Sequence, residues 1–344
     1  MLVAAHDPGG ALMIGAAVDE IRQRGHQIDF LAAGPAVAIW QRAGHDVTVA
    51  ETGYDLSALI IEAPDAVVTG TGFGDFERNC WRWARAHNRP AMSVIDSWSN
   101  LARRFETPVG LDIPNAIGVI DEVVAAQLTA EIDRPATINV IGQPHLQVQT
   151  FELAKARAAR ADNSGPPRLI FFSEPVLEDF APGARGFDQF SVFTALAESL
   201  SELPPATLSI KPHPREQYER WQSLVDELRT HTQFHGLDMD LSYASAGKLL
   251  AAADGVFGIT SMALVEAHLL GVPLLSLQPG RTGISNPVID CLGGIVLNDG
   301  DIAERVKAFI GALGTRAAIH PRFQAVMDGA ATRFVSAVEN LLEC

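Results

Sequence analysis

Four short polar stretches follow apolar runs, and their residue types and spacing could do chemistry. The first is His6-Asp7-Pro8-Gly9-Gly10, an imidazole beside a carboxylate and then two glycines. His6 and Asp7 are placed for acid–base work. The glycines let the backbone approach a ligand closely. No GxGxxG pattern is present, so this is not a dinucleotide fingerprint. A tight turn in which Asp7 caps the next helix is the plainer alternative. The second stretch is Asp96-Ser97-Trp98-Ser99-Asn100, followed by Arg103-Arg104-Phe105. Asp96 joins the catalytic candidates. Trp98, Asn100, Arg103 and Arg104 read as the wall of a pocket for a polar or anionic acceptor. A surface turn with a solvated arginine pair would look the same.

The third stretch is Lys211-Pro212-His213-Pro214. Two prolines hold the chain stiff and present a cation and an imidazole, both able to donate to phosphate oxygens. The fourth is Thr260-Ser261, two good helix N-caps between an apolar run and an apolar helix. A strand that runs into a helix N-terminus offers free amides and the positive end of the helix dipole, which suits phosphate. Glu266, five residues on, is the one carboxylate of that helix and could accept from ribose hydroxyls. A solvated glutamate is the alternative. Thr69-Gly70-Thr71-Gly72-Phe73-Gly74-Asp75 and Gly142-Gln143-Pro144-His145 also end apolar runs. Asp238-Met239-Asp240 matches a metal-binding pattern but reads as a loop. Trp81 and Trp83 read as core.

These residues need elements to position them. Apolar runs at Leu2–Ala5, Ile28–Ala33, Asp46–Val49, Ala66–Thr69, Ala91–Ile95, Ala116–Ile120 and Thr137–Ile141 read as strands. Helical spacing over Ala11–Arg24, Val37–Ala43 and Phe76–His87 separates several of them. A helix over Gln147–Arg160 and a breaker cluster at 161–167 follow. The pattern then restarts: strands at Arg168–Ser173, Thr207–Ile210 and Gly255–Ile259, and one opening at Pro273. Helices are expected at Phe187–Leu200, Arg215–Thr230, Ala244–Ala253, Met262–Leu270, Asp301–Leu313 and Arg322–Leu342. Strand–helix alternation predicts parallel sheets covered on both faces, with ligands at the strands' C-terminal ends. Residues 1–145 make one Rossmann-like domain, 146–167 a linker and 168–344 a second. The last helix is free to pack back on the first domain.

The whole-chain numbers fit two soluble α/β domains. Length is 344 residues and hydrophobic content 47%, enough for two cores. No apolar run is long enough to span a membrane, and no secretory leader is legible. Cys80, Cys291 and Cys344 are odd in number and far apart, which fits neither a disulfide framework nor a zinc site. The cytoplasm is the expected compartment, with room for peripheral membrane association. A net charge of −15 argues against nucleic acid as a partner.

Two doubly wound halves, Lys211-Pro212-His213-Pro214, and Thr260-Ser261…Glu266 before Gly271-Val272-Pro273 together resemble the GT-B glycosyltransferase fold. Arg24-Gly25-His26 after the first helix resembles its N-terminal pattern. The likeness is greatest to bacterial capsule, sialyl-type and polyol-phosphate transferases, which set an HP motif and an S/T-S motif on the donor phosphate. The resemblance implies two Rossmann-like domains facing across a cleft. It implies a nucleotide-sugar donor on the C-terminal domain, a glycan, lipid-linked or protein acceptor, and neither cofactor nor metal. By position, His213 and Ser261 would hold the phosphate, with Thr260 assisting and Lys211 adding charge beside them, and Glu266 the ribose. Asp7, or His6 in its place, would be the base. The sialyl-type acidic-acidic-Gly motif is missing, which leaves the donor sugar open. UDP-sugar 2-epimerases share the fold, but carry an acidic, arginine-containing segment where this chain has Gly280-Arg281-Thr282-Gly283-Ile284-Ser285, without a carboxylate. Epimerase therefore ranks second, and a non-catalytic nucleotide-sugar-binding protein third.

Overall fold

The computed structural model describes residues 1–72, 74–133, 136–160, 165–283, 286–315 and 318–343. Two compact units emerge: Met1–Gln149 with Pro321–Cys344, and Thr150–His320. Among the described residues, no helix is long and apolar enough to cross a membrane.

In the first unit the strands are β1 (Leu2–Ala5), β2 (Asp29–Ala32), β3 (Val47–Val49), β4 (Val67–Thr69) and β5 (Ala91–Val94). A small hairpin, β6 (Glu106–Thr107) and β7 (Gly110–Leu111), precedes β8 (Ala116–Val119) and β9 (Thr137–Val140). The sheet is parallel throughout, in the order β3-β2-β1-β4-β5-β8-β9. Strand alternation feeds two cores. Val3 and Ala5 face one with Met13, Trp40 and Phe334; Leu2 and Ala4 face the other with Phe76, Trp81 and Phe105. Burial on both faces is why these strands read as unbroken apolar runs. The helices are α1 (Pro8–Gly15), α2 (Val18–Gln23), α3 (Pro35–Arg42), α4 (Leu56–Leu59), α5 (Phe76–Ala86), α6 (Glu122–Glu131) and α7 (Pro144–Ala158), which runs on into the second unit.

The second unit repeats the plan. Strands β10 (Arg168–Phe172), β11 (Ala206–Lys211), β12 (Leu237–Leu241), β13 (Gly255–Gly258), β14 (Leu274–Leu277) and β15 (Ile295–Val296) form a parallel sheet in the order β12-β11-β10-β13-β14-β15. Its helices are α8 (Val176–Asp179), α9 (Gln189–Ser201), α10 (Tyr218–Thr230), α11 (Ala246–Ala252), α12 (Met262–Leu269), α13 (Pro287–Asp290) and α14 (Ile302–Gly311). The chain then returns to the first unit as α15 (Pro321–Met327) and α16 (Ala330–Leu342). In both sheets the strand order reverses beside the first strand, between β1 and β4 and between β10 and β13. Such switch points are where ligands seat on doubly wound sheets.

Three expectations need correction. The helix read over Ala11–Arg24 is two, α1 and α2. Gly15 is a poor helix former, and Asp19 and Glu20 gain by standing in the first turn of a new helix. The closing helix over Arg322–Leu342 is also two. Gly329, at φ 65°, turns the chain, and the Arg333 guanidinium donates to the carbonyls of Ala325, Val326 and Asp328 at the end of α15. Asp238-Met239-Asp240 is not a loop but the middle of edge strand β12: Met239 enters the core, both acids face outward, and Asp240 accepts from Ser209. Trp81 and Trp83 are core, as expected.

Asp121 ties the returning segment to the first unit. It caps α6 through the Val124 amide at 2.9 Å, accepts the Trp98 indole N–H at 2.7 Å and pairs with Arg322 at 2.8 Å. The Asp121 and Arg322 side chains are only 10% and 14% exposed. Removing one partner of so buried a pair costs about 3–5 kcal/mol. Asp121→Ala should lower the unfolding free energy by about that amount in urea titrations, and Asp121→Asn by less. A loss under about 1 kcal/mol for Asp121→Ala would contradict this role.

Candidate functional site

At the switch point of the first sheet, the loop after β1 meets the loop after β4. Asp7 stands at the N-cap of α1, but its side chain makes no capping bond. It turns instead to His6, with Nδ1 to Oδ1 at 2.6 Å, and both side chains are 44% exposed. The plain helix-cap reading of Asp7 therefore does not hold. Gly9 and Gly10 do admit a close approach, but to the protein itself. A Cβ at Gly9 would sit 1.5 Å from Asp96 Oδ2, and one at Gly10 2.7 Å from the Gly70 Cα. Gly34, at φ 52°, lies against the other imidazole nitrogen, and a Cβ there would sit 2.6 Å from His6 Nε2. Beneath this loop lies Glu77, 1% exposed, whose Oε1 accepts the His6 backbone amide at 2.9 Å. Its Oε2 is buried with no hydrogen-bond partner among the described residues. Burial pushes the Glu77 carboxyl above its ordinary range, and the Asp7 charge adds to the push, while the His6 amide opposes it.

The stretch after β5 behaves differently from its sequence reading. Arg104 is buried, not solvated. It pairs with Asp96 at 2.7 Å, reaches the Thr71 hydroxyl at 3.0 Å and donates to Ser97 Oγ at 2.6 Å. Asp96 is thus an ion-pair partner, and Gln143 donates to its carbonyl at 3.0 Å. Trp98 is engaged by Asp121 and packs edge-on against Phe323, with ring centroids 6.1 Å apart, so it anchors α15 rather than lining an open pocket. Asn100 is an exposed turn residue at φ 55°, and Arg103 is exposed.

In the second unit the strand ends carry Glu174, Lys211, His213 and Thr260-Ser261. Lys211 closes β11 and is half-buried. The His213 amide donates to Glu216 Oε2 at 2.5 Å, and its ring Nδ1 accepts the Arg215 amide at 3.2 Å. An accepting Nδ1 puts the proton of the neutral ring on Nε2. Burial, helped by the Arg215 charge, lowers the His213 pKa, so the neutral form is favoured. Glu216 also accepts from Ser173 at 2.8 Å and from the Trp221 indole at 3.1 Å. Arg215 is held by Asp179, one contact being 2.7 Å.

Thr260 does not point its hydroxyl outward. It donates to the Glu174 carboxylate, 2.9 and 2.8 Å from the two oxygens. Ser261 caps α12, accepting the Ala263 amide at 3.2 Å, which leaves its own hydrogen to donate. Glu266 lies half-buried on α12. The Arg185 guanidinium lies over Phe180 and Phe187, 5.0 and 5.9 Å from the ring centroids. Tyr243, 80% exposed, stacks on Tyr218 at 4.3 Å, just beyond β12. The Tyr218 hydroxyl is pushed up to about 12, first by burial and then by Tyr243. Glu77, Glu174, Glu216, Arg185 and Tyr243 escape sequence reading, since a buried carboxylate and a solvated one are spelled alike. Among the described residues, no cluster of three or more His, Cys, Asp or Glu side chains could hold a metal ion.

No family model matches the sequence, and no curated protein matches it significantly. Solved structures do match. UDP-GlcNAc 2-epimerase from Methanocaldococcus jannaschii is similar at TM-score 0.72 and 13% identity, over 98% of this chain and 99% of that one. UDP-GlcNAc 2-epimerase from Neisseria meningitidis bound to UDP-GlcNAc gives 0.71 and 12%, with the same coverage. The glycotransferase of kitacinnamycin gives 0.61 and 13%, over 99% of this chain and 98% of that one. At such identity the likeness establishes the fold: two Rossmann-like α/β units of the GT-B type.

Three shielded carboxyls, Glu77, Glu174 and Glu216, are held above the ordinary value of 4.5 chiefly by loss of solvent. The folded chain keeps these protons to a higher pH than the unfolded chain does. Their contribution to stability is therefore full below about 4.5 and is lost as pH rises through the folded values. Glu77→Gln cannot ionise. Its unfolding free energy should fall less between pH 4.5 and 8 than that of the wild type, measured in urea; parallel losses would contradict the assignment.

Proposed function

We propose that the chain is a glycosyltransferase that moves a sugar from a nucleotide-activated donor to an acceptor hydroxyl. Asp7 was the first expectation for the base. The 2.6 Å contact to Nδ1 supports the reverse order, with His6 as the base and Asp7 fixing its tautomer. Nε2 then takes the acceptor proton, and any side chain at position 34 would collide with that nitrogen. As the new bond to the sugar carbon forms, the sugar–phosphate bond breaks and the leaving phosphate gains charge. His213 Nε2–H, Lys211 and the Ser261 end of α12 are the groups assigned to that charge. The Tyr243–Tyr218 stack offers a flat face for a base. Arg103 and Asn100 remain the acceptor-side candidates, and Glu266 the ribose candidate.

The observation that carries transfer is the state of the acids at the first unit's edge. Asp96 is engaged by Arg104, Asp121 by Arg322, and Glu77 lies under the loop. The His6–Asp7 pair is exposed at this edge; Asp75, exposed too, is engaged by Arg78 at 3.1 Å. Transfer to a hydroxyl needs one proton acceptor. Inverting a carbon centre needs a proton taken from one face and returned to the other, hence a second group. The epimerase reading rests on the full-length likeness to two UDP-GlcNAc 2-epimerases, and it is the second reading here.

His6→Ala should lose about 10²–10⁴ in turnover, scored as nucleotide release from a panel of nucleotide sugars with sugar acceptors, while donor affinity stays within a few-fold. Asp7→Asn should lose a comparable factor through the wrong tautomer. His213→Ala should weaken nucleotide binding by about 1.5–3 kcal/mol in calorimetry. Near-normal turnover in both first-loop variants would remove the base from this loop, and unchanged affinity in His213→Ala would remove the phosphate site from the second unit.

A further inference from the structure

At the switch point of the second sheet an acid already holds a donor that a phosphate would use. Glu174 follows β10 and Thr260 follows β13, two strands paired side by side. The Thr260 hydroxyl lies 2.9 and 2.8 Å from the two carboxylate oxygens. This contact joins residues 86 apart in sequence, so the fold, not local chain geometry, makes it. The carboxylate therefore sits at the head of α12, where the helix dipole and the free amides attract an anion.

The charged groups around it are few. Arg185, between Phe180 and Phe187, attracts Glu174, and Glu216 repels it. Glu216 is itself tied by Ser173, Trp221 and the His213 amide, with Glu178 adding negative charge. Lys211 and His213 stand at the end of β11, the strand on the other side of β10. A phosphate brought to the Thr260–Ser261 end would meet a like charge and would find Thr260 occupied. Protonating Glu174 removes both obstacles: the repulsion disappears, and the weaker acceptor releases the Thr260 hydroxyl.

We propose that Glu174 makes phosphate binding in the second unit proton-linked, taking up one proton when a nucleoside diphosphate ester seats at the Thr260–Ser261 end of α12. The proposal rests on the phosphate site assigned above. It predicts a donor site that tightens in mildly acidic solution and weakens in alkaline solution.

The probe is UDP-GlcNAc, whose phosphates are both esterified and do not titrate near neutrality. Calorimetry in two buffers of different ionisation enthalpy, at pH 5.5, 7 and 8.5, counts the protons taken up per ligand bound. The wild type should take up close to one proton at pH 8.5 and lose at least tenfold in affinity from pH 5.5 to 8.5. Glu174→Gln should take up measurably fewer, keep its affinity within about threefold across the range, and bind more tightly than the wild type at pH 8.5. Wild-type binding without proton uptake overturns the proposal, even if the variant does not fold. So does uptake that persists undiminished in Glu174→Gln, which would place the proton on His213. In both cases a loss of binding in His213→Ala leaves the phosphate site standing. If the wild type binds neither UDP-GlcNAc nor any other nucleotide sugar, the site and the proposal fall together.

Discussion

In each unit a shielded carboxylate accepts the backbone amide of the histidine that the candidate chemistry depends on. Glu77 takes the amide of His6 at 2.9 Å, and Glu216 takes that of His213 at 2.5 Å. The need is general: where a parallel strand ends, its ladder ends too, and the next amides must find another acceptor. A carboxylate under the loop supplies one, and a charge-assisted bond of this kind is worth about 1.5–3 kcal/mol. Desolvating the acid opposes that gain, and the raised Glu77 and Glu216 carboxyls record the opposition. What the arrangement secures is position. His6 is fixed against Gly34 and Asp7, and His213 is fixed with Nδ1 on the Arg215 amide and Nε2–H free to donate.

The same economy governs the remaining charges. A chain with net charge −15 would repel an anionic ligand if its acids faced the strand ends openly. At the first unit's edge the acids behind the loop are matched: Asp96 by Arg104, and Asp121 by Arg322 and the Trp98 indole. At the second unit's edge Asp179 is matched by Arg215, while Glu174 and Glu216 rest on hydroxyls, amides and an indole. Neutral donors satisfy a carboxylate's hydrogen bonds without cancelling its charge, so Glu174 stays sensitive to any anion brought near it.

Much of the fold was legible because its strands are buried on both faces. Leu2–Ala5, Arg168–Phe172 and Gly255–Gly258 read as apolar runs, and alternation with helical spacing implied parallel sheets. Strand β12 was missed because Asp238 and Asp240 alternate with Leu237, Met239 and Leu241, so an edge strand read as an acidic loop. At the site, sequence reading found the loops but misjudged several side chains. Trp98 and Arg104 looked like a pocket wall and are bonded inside the protein, because their partners Asp121 and Thr71 lie 23 and 33 residues away. Glu77, Glu174 and Glu216 bond residues 71, 86 and 43 positions distant. One faint signal existed: Glu77 shares a helix face with Trp81 and Cys80, and Glu174 follows five buried residues, 169–173, without a break.

Whether the His6–Asp7 edge serves transfer or epimerisation is decided by the fate of the sugar–phosphate bond. The most direct measurement is an NMR time course of the wild-type protein with UDP-GlcNAc in deuterated water, following phosphorus and the sugar protons together. Glycosyl transfer, to an added sugar or slowly to water, predicts free UDP and no deuterium at C2 of the sugar that remains. Conversion to the 2-epimer, with deuterium entering at C2, would contradict transfer and make this chain an epimerase.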